Sequence, residues 1–476
     1  MRHLLLSAST TALVLLLAGC SIGERYQEPE TEAAPAFKGQ PDAVAGESEL
    51  LANAWWQAYG DARLNALVAQ FARNNQDLAA AAARMDQALA RLGLARSEHF
   101  PQLDASGSFS RERTNRIDGR NPTQNLYDAR AIARYELDLW GRVSGLVDAA
   151  KAEAGAETAR YEGVRLELLT QLVESYLVLQ TVDAEIDLLE QTLELRQGGF
   201  ERIQSRHEAG DSDGLALAQA RTELELTRAE AIGLRNLRGS LENALAVLAG
   251  ASPSTFHLEA HTQEALPTLP EVPVGVPAQV LARRPDVFAA ERQLKAAHER
   301  IGVAQADYLP RFVITGSAGY TANEGDGLTE WRNRAWSIAP TVSLPLFRGG
   351  ELDANLAQAR AAAEEARAHY RQTVLGAVQE VEDALNAQQV LAEQMHAQQD
   401  AVDAALRASE ISNARYSGGL VSYLEVVDTE RTQLEAQRQL TELQRQRYVA
   451  NVALIRAVGG SWGTLPMEGG PVVAGL

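Results

Sequence analysis

The sequence has little cysteine, little lysine and, beyond its N-terminus, no long apolar run. Cys20 is the only cysteine in 476 residues, which excludes disulfide bonds and thiolate metal sites. Lysine occurs only at Lys38, Lys151 and Lys295, and the net charge of -19 argues against a nucleic-acid partner. After the N-terminus no apolar stretch is long enough for a membrane-spanning helix. A covalent lipid and β-strands closed into a barrel remain as routes to a membrane.

Residues 1–19 have the pattern of an export signal. Arg2 and His3 precede the apolar run from Leu4 to Ala18, which is too short to span a bilayer. The run ends in Leu17-Ala18-Gly19-Cys20, which resembles the bacterial lipobox, in which the cysteine is acylated and becomes the mature first residue. The alternative is a signal peptide with a chance cysteine. Ser21, rather than aspartate, follows, so the resemblance implies the outer membrane for a lipidated segment over 20–54.

The remaining chain contains two similar halves. Asp77 and Asp286, Gly93 and Gly302, and Pro101 and Pro310 are each 209 positions apart, and Gly210 and Gly419 keep this offset. An offset held over so long a span indicates a duplication. We assign a first repeat to 55–250, a connector to 251–276, a second repeat to 277–460 and a C-terminal tail to 461–476.

Each half predicts one very long helix and two shorter ones. The long helices are expected from Gly141 to His207 and from Leu352 to Tyr416, about 100 Å each if continuous. The shorter helices, which stacked end to end nearly match the long ones, are expected at Leu78–Phe100, Leu215–Leu248, Val287–Leu309 and Leu420–Val458. Such helices also occur in simple bundles and coiled coils, so they do not identify the fold alone.

Alternating segments predict two β-strands in each half. Leu103 to Ser110 and Trp336 to Leu344 alternate apolar and small polar side chains, and their partners, Ala129–Leu139 and Phe312–Tyr320, do so less cleanly. One apolar and one polar face fit a barrel with a wet lumen, although a soluble sheet under helices is an alternative. Four strands cannot close a barrel, which needs about eight. Three copies would supply about twelve, so we expect a mainly α chain whose small β part joins a shared transmembrane barrel.

At this point the chain resembles the TolC-type outer membrane efflux proteins, in particular their lipoprotein branch. The resemblance runs from Cys20 to about Trp462. It departs from the family pattern at Glu24 and Ala62, where proline is usual. The motifs that carry it are Gly23–Pro29, Trp55-Trp56 with Gly60-Asp61, Arg283–Val287 with Ala290-Glu291, Leu344–Gly350, Arg415–Gly419 with Tyr423–Asp428, and Val458–Trp462.

The resemblance implies a homotrimer in which a twelve-stranded outer-membrane barrel continues into a periplasmic helical barrel. A periplasmic adaptor and an inner-membrane pump would deliver the substrate, which the duct releases passively. By position, Leu424 and Asp428 match the family's constricting leucine and aspartate, and Glu425 stands where some members have another aspartate. These three residues share a helical face and would form rings at a periplasmic gate. The alternative is that both acids are ordinary solvated surface charges.

The turns between the long helices are candidate docking sites for the adaptor. Gly210, Tyr416, Gly418 and Gly419 occupy these hairpin tips, and glycine allows a tight reversal of direction. They are equally well explained as turn residues alone. His207 replaces the tyrosine in the first copy.

No feature of the sequence indicates an enzyme or a cofactor other than the lipid. His257 and His261 have metal-binding spacing, but the surrounding prolines favour an extended connector without a metal. A structural coiled-coil lipoprotein would not need the strands, and a stand-alone diffusion channel would not need such long helices. The exported substrate and the classes of pump and adaptor stay open.

Overall fold

The computed structural model describes residues 26–27, 36–38, 54–113, 123–260, 266–272, 274 and 277–460. These residues fall into two compact units. One contains the sheet with the adjoining helical segments, within Ala83–Ala159 and Ala289–Gln372, and the other contains both hairpin turns. The elements, in chain order, are a 3-10 helix at Trp55–Tyr59, α1 (Ala62–Asn74), α2 (Gln76–Ser97), β1 (Gln102–Arg113), β2 (Thr123–Leu137), α3 (Arg142–Glu208), α4 (Gly214–Leu248), α5 (Pro277–Arg283), α6 (Pro285–Ala306), β3 (Arg311–Ala322), two 3-10 helices at Gly325–Gly327 and Trp331–Asn333, β4 (Arg334–Ser343), α7 (Glu351–Ser417) and α8 (Tyr423–Ala457).

The duplication governs the positions of nearly all these elements. The pairs α2 and α6, β1 and β3, α3 and α7, and α4 and α8 each begin and end 209 residues apart. Glycines with positive φ end equivalent helices, as at Gly250 and Gly459. The two halves are therefore structural repeats and not only similar sequences.

The two long helices, α3 and α7, contain 67 residues each, which corresponds to about 100 Å. This confirms the predicted helix length. The last helix begins at Tyr423 and not at Leu420 as predicted, because Gly419 has a left-handed conformation and the chain needs three further residues to reverse. Within the described part of the chain, no helix is long and apolar enough to cross a membrane.

The four strands form one antiparallel sheet in the order β1-β2-β3-β4. Its faces differ in polarity, as the alternation predicted. On the apolar face the rings of Phe109 and Tyr127 lie 4.8 Å apart. On the polar face the hydroxyl groups of Ser317 and Ser337 are hydrogen-bonded at 2.9 Å. The outer edges of β1 and β4 have no strand partner among the described residues.

A side-chain contact joins the start of α2 to the end of α4. The Nδ2 atom of Asn75 donates a hydrogen bond to the carbonyl oxygen of Leu248 at 2.8 Å, and its Oδ1 accepts from the amide of Leu78. Gly250, with a φ of 69°, packs against the backbone of Asn74. This junction supports the predicted end-to-end placement of the two shorter helices of the first repeat.

A hydrophobic core packs α1 against α3, α4 and α8. We did not predict α1 from the sequence. This helix buries Leu64, Leu67, Val68 and Phe71, the i, i+3, i+4, i+7 pattern of an amphipathic helix. Asp61 caps its start by accepting a hydrogen bond from the amide of Arg63 at 2.7 Å. The Asp61 carboxylate also accepts a hydrogen bond from the Tyr176 hydroxyl of α3. Burial and this contact raise the pKa of Tyr176, so the phenol stays protonated and keeps donating.

Candidate functional site

The two hairpin turns close in the same way. The amide of Gly210 donates to the carbonyl of His207 at 3.0 Å, and that of Asp211 to the carbonyl of Arg206 at 2.7 Å. In the second turn the amide of Gly419 donates to the carbonyl of Tyr416 and that of Leu420 to the carbonyl of Arg415, both at 2.9 Å. This is the Schellman arrangement, which requires a positive φ at the glycine. Gly210 and Gly419 have φ values of 80° and 70°.

Gly418 does not share this conformation. It precedes Gly419, and its φ is not among the positive values. A Cβ atom there would lie 3.5 Å from the carbonyl oxygen of Arg415, an ordinary contact. Gly210 and Gly419 are thus needed by the turns themselves, whereas Gly418 is not. The docking role of the turns stays a prediction.

The three candidate gate residues lie at the start of α8 on one exposed face. Leu424, Glu425 and Asp428 are exposed, whereas the intervening Val426 and Val427 are buried. Leu424 has 57% of its surface accessible. The helix therefore turns its valines inward and presents one leucine and two carboxylates outward. The three residues share one exposed face, and their function as a gate stays a prediction.

Glu425 makes a contact with the preceding helix. Its Oε1 lies 3.6 Å from Nη1 of Arg415 at the end of α7. Both side chains are about half exposed, so the pair contributes little to stability. No ion pair of Asp428 occurs among the described residues.

An aromatic contact links the two hairpins of one chain. The guanidinium carbon of Arg206, at the end of α3, lies 5.6 Å from the centre of the Tyr416 ring. The ring of Tyr416 lies 5.5 Å from that of Tyr423. Burial and the nearby Glu430 raise the pKa of Tyr423 to about 12, so it stays neutral near pH 7. Tyr416, predicted as a tip residue, thus packs between the two turns.

A buried ion cluster forms a second link, which sequence reasoning missed. Glu223 of α4 pairs with Arg196 of α3 at 3.4 Å and with Arg431 of α8. The side chains of Glu223 and Arg196 are 7% and 8% exposed, whereas that of Arg431 is 55% exposed. A sequence signal existed, because Glu223 interrupts the buried stripe of α4 formed by Ala220, Leu224, Thr227 and Ala231.

The first repeat lacks the acids of the candidate gate. The positions 209 residues before Leu424, Glu425 and Asp428 hold Leu215, Ala216 and Gln219. Leu215 is 65% exposed, so the exposed leucine is duplicated and the carboxylates are not. The two hairpins are therefore equivalent in backbone but different in charge.

The lipobox and the two histidines at metal-binding spacing lie away from the hairpin turns in the sequence. Cys20 and the lipobox lie outside the described residues. His257 lies in a stretch without helix, with its Nδ1 3.0 Å from Oε1 of Glu242, and His261 is also outside the described residues. Among the residues described, no group of three or more histidine, cysteine, aspartate or glutamate side chains is placed to hold a metal.

Paired repeats of very long helices, joined to strands with one apolar and one polar face, define a class of membrane channel protein. The chain belongs to the outer membrane efflux protein family, which matches residues 67–251 and 276–460. It is 33% identical to the solvent efflux pump outer membrane protein SrpC of Pseudomonas putida, over 94% of this chain and 97% of the relative. It is 28% identical to the cation efflux system protein CusC of Escherichia coli, over the same shares. The solved structure of the outer-membrane channel OprN superposes with a TM-score of 0.87 at 29% identity, covering 93% of this chain and all of that one.

These matches confirm the predicted family and fold class and the predicted function as an outer-membrane channel of an efflux system. They also support the outer-membrane location.

Proposed function

We propose that three copies of this chain form a closed duct that passively releases substrate delivered by an inner-membrane pump through a periplasmic adaptor. The duct is shut at rest by rings of Leu424, Glu425 and Asp428. The observation that carries the gate is the exposed face at the start of α8, where no element of the described residues covers the leucine and the two acids. Leucine closes a pore by packing and excluding water, and rings of carboxylates favour cations over anions.

The ion cluster of Glu223 supports this proposal. It fastens α8, which carries the gate residues, to the first hairpin of the same chain. A closed gate needs contacts that fix the position of the helix carrying it. The ion pair of Glu223 with Arg431 and the packing of Arg206 on Tyr416 are such contacts between the two hairpins.

Conductance through planar bilayers tests the gate. We expect the double variant Leu424→Ala/Asp428→Ala to conduct more at rest than the unmodified channel. The matched control is Leu215→Ala/Gln219→Ala, which changes the equivalent positions of the first repeat and should leave resting conductance nearly unchanged. An unaltered resting current in the first variant would overturn the gate, and equal leakage in both would mean that the whole tip, and not these residues, closes the duct.

We also propose that Cys20 carries a lipid that anchors the chain in the outer membrane as an auxiliary to the strands. The support is the lipobox-like Leu17–Cys20 at the end of an apolar run. Labelling with radioactive palmitate should mark the protein, and Cys20→Ser with a cleavable signal should abolish the label yet leave fewer, intact trimers in the outer membrane. Loss of all inserted trimer would show that the lipid, rather than the strands, holds the duct.

We propose that the pump and the adaptor, and not this chain, select the exported substrate. The relatives are named for solvent and for cation efflux, although they are similar to this chain over the same shares of its length. A wet lumen lined by small polar side chains provides few contacts for selecting a substrate. Exchanging the pump and adaptor while keeping this chain should therefore change what is exported.

A further inference from the structure

The apolar face of the sheet ends in arginines at the end of the strands that is remote from the helices. On β1 the side chains of this face, taken outward from the helices, are Leu103, Ala105, Gly107, Phe109, Arg111 and Arg113. On β4, taken the same way, they are Val342, Pro340, Ile338, Trp336 and Arg334. An arginine that faces lipid is costly at the middle of a bilayer and costs little near its surface. The three arginines therefore fit the level of the lipid headgroups.

The duplication puts one arginine of each hairpin at the same level. Arg111 is opposite Asn125 in the first hairpin, and Arg334 is opposite Tyr320 in the second, which is the same pair of positions shifted by 209. The arginine is on β1 in the first hairpin and on β4 in the second, and these are the two outer strands of the sheet. In the shared barrel of the proposed function, on which this inference rests, outer strands of neighbouring copies lie side by side. The arginines of two copies then meet at each boundary.

The distance of the arginines from the helices agrees with a membrane boundary. Arg111 lies nine residues after Gln102, where β1 begins, and Arg334 lies nine residues before Ser343, where β4 ends. Nine residues span about 30 Å along a strand, and a strand tilt of about 40° reduces this to about 23 Å across the membrane. The apolar band of outer-membrane barrels is about 25 Å tall. The arginines thus lie at the boundary of this band opposite to the helices.

These arginines are available to an external anion. All three are exposed, and none forms an ion pair within the part of the chain that the structure describes. The guanidinium carbon of Arg334 lies 4.0 Å from the centre of the Trp331 ring, which holds the side chain in place. By contrast, the neighbouring Arg332 pairs with Glu330 at 2.6 Å. A guanidinium that is stacked on a ring and has no carboxylate partner suits a phosphate group, which it can bind through two hydrogen bonds.

We propose that Arg111, Arg113 and Arg334 bind the phosphate groups of a phosphorylated glycolipid of the lipid A type in the outer leaflet. In the duct the helices extend into the periplasm, so the other end of the strands faces outside. Lipid A carries anionic phosphates on its sugar headgroup and several acyl chains below it. The acyl chains would lie on the exposed apolar side chains below the arginines, among them Phe109 and Trp336, which are 58% and 73% exposed.

Binding of defined lipids to the purified protein in detergent, followed by native mass spectrometry, tests this proposal without any substitution. The probes are lipid A with its phosphates, the same lipid A after their removal, and phosphatidylglycerol. We expect phosphorylated lipid A to be retained, about one molecule for each boundary between copies, and the other two lipids to be retained far less. Equal retention of dephosphorylated lipid A would show that the arginines bind no phosphate. Equal retention of phosphatidylglycerol would assign them to phospholipids, and either result overturns the proposal.

A pair of substitutions then assigns the binding to the arginines. Arg111→Gln/Arg334→Gln should weaken the binding of phosphorylated lipid A by about 30-fold, because two charges at the headgroup level are lost. The matched control is Arg134→Gln/Arg367→Gln, which removes the same charge at exposed positions on the polar face of β2 and on α7. It should bind lipid A as the unmodified protein does.

The oligomeric state is read from the same spectra. A first variant that is trimeric and binds lipid A as tightly as the control would overturn the site. If that variant does not assemble, the comparison of the three lipids on the unmodified protein decides. An unmodified protein that is monomeric by native mass would instead overturn the trimer of the proposed function.

Discussion

Arg284 and Ala457 are joined by a hydrogen bond from Nη1 of the arginine to the carbonyl oxygen, 3.0 Å long, where α6 begins and α8 ends. It is the counterpart of the bond from Asn75 to Leu248, because both residues are shifted by one repeat. The second repeat thus keeps the junction with a charged donor in place of a neutral one. The arginine also pairs with Glu380 at 2.8 Å, whereas the equivalent of Glu380 in the first repeat is Gln171.

Replacing the pair of Arg284 and Glu380 by the neutral residues of the first repeat tests whether stability depends on the hydrogen bond at the junction or on the charges. Arg284→Ala should lower the free energy of unfolding by about 2 kcal/mol, because it leaves the Ala457 carbonyl without its buried donor and Glu380 without its partner. Arg284→Asn/Glu380→Gln, which reproduces Asn75 and Gln171, should recover part of that loss. Thermal unfolding of the purified protein measures both. An alanine variant as stable as the unmodified chain would show that the contact is dispensable.

In the first repeat, the junction between the start of α2 and the end of α4 also depends on Gly250. Its φ is 69°, and a Cβ atom there would lie 2.3 Å from the carbonyl oxygen of Asn74. Gly250→Ala should therefore cost more than about 2 kcal/mol, through the left-handed backbone and the clash together. Gly93→Ala is the control, because nothing lies within 4 Å of its Cβ position in the interior of α2. It should be neutral or stabilise by roughly 0.5–1 kcal/mol. Equal melting temperatures for the two variants would contradict this account.

The regular elements could be predicted because glycine and proline mark their ends in both repeats. Pro101 and Pro310 follow the helices before the first strands, and Gly210 and Gly419 end the long helices. The helix α1 was not predicted, because its apolar positions precede the motifs that repeat. Its counterpart in the second repeat, α5, is only 7 residues long, so the duplication did not reveal it either.

The residues of the candidate site could be predicted from the sequence more easily than the contacts between its helices. The face of Leu424, Glu425 and Asp428 follows from helical spacing alone. Glu223 and Arg431, however, are 208 positions apart, and neither has a charged counterpart of the same sign in the other repeat. Spacing rules describe neighbours on one helix and give no information on pairs between helices that meet only in the folded chain.

The Glu223 cluster should respond unequally to loss of its buried acid and to loss of its exposed arginine. Glu223→Ala leaves Arg196 buried without a counter-ion, so we expect a loss of about 3 kcal/mol. Arg431→Ala removes a side chain that is more than half exposed and should cost less than about 1 kcal/mol. Arg235→Ala, which breaks the exposed pair with Glu190, is the control and should have almost no effect. Thermal unfolding ranks the three variants, and an Arg431 variant as unstable as the Glu223 variant would refute the buried-charge argument.

Asp138 should make the start of α3 sensitive to acid. Its carboxylate accepts hydrogen bonds from the amides of Val143 and Ser144 at 3.0 and 2.8 Å and from the Ser144 hydroxyl at 2.7 Å. Partial burial by itself would raise the pKa of Asp138, but these bonds outweigh burial and lower it. The amides belong to the first turn of the helix, where an accepting side chain contributes about 1 kcal/mol.

Because the folded-state pKa of Asp138 is depressed, its stabilising effect is complete above the pKa of the unfolded chain, about 3.9, and disappears as the pH falls through the lower folded value. Asp138→Asn should therefore be less stable than the unmodified protein at pH 7, and the difference should shrink as the pH falls below about 4. Melting temperatures measured across this range test the sign. Asp86→Asn, on the exposed face of α2, controls for the general loss of a negative charge. A difference between Asp138→Asn and the unmodified protein that grows on acidification would mean that the carboxylate is held in its protonated form.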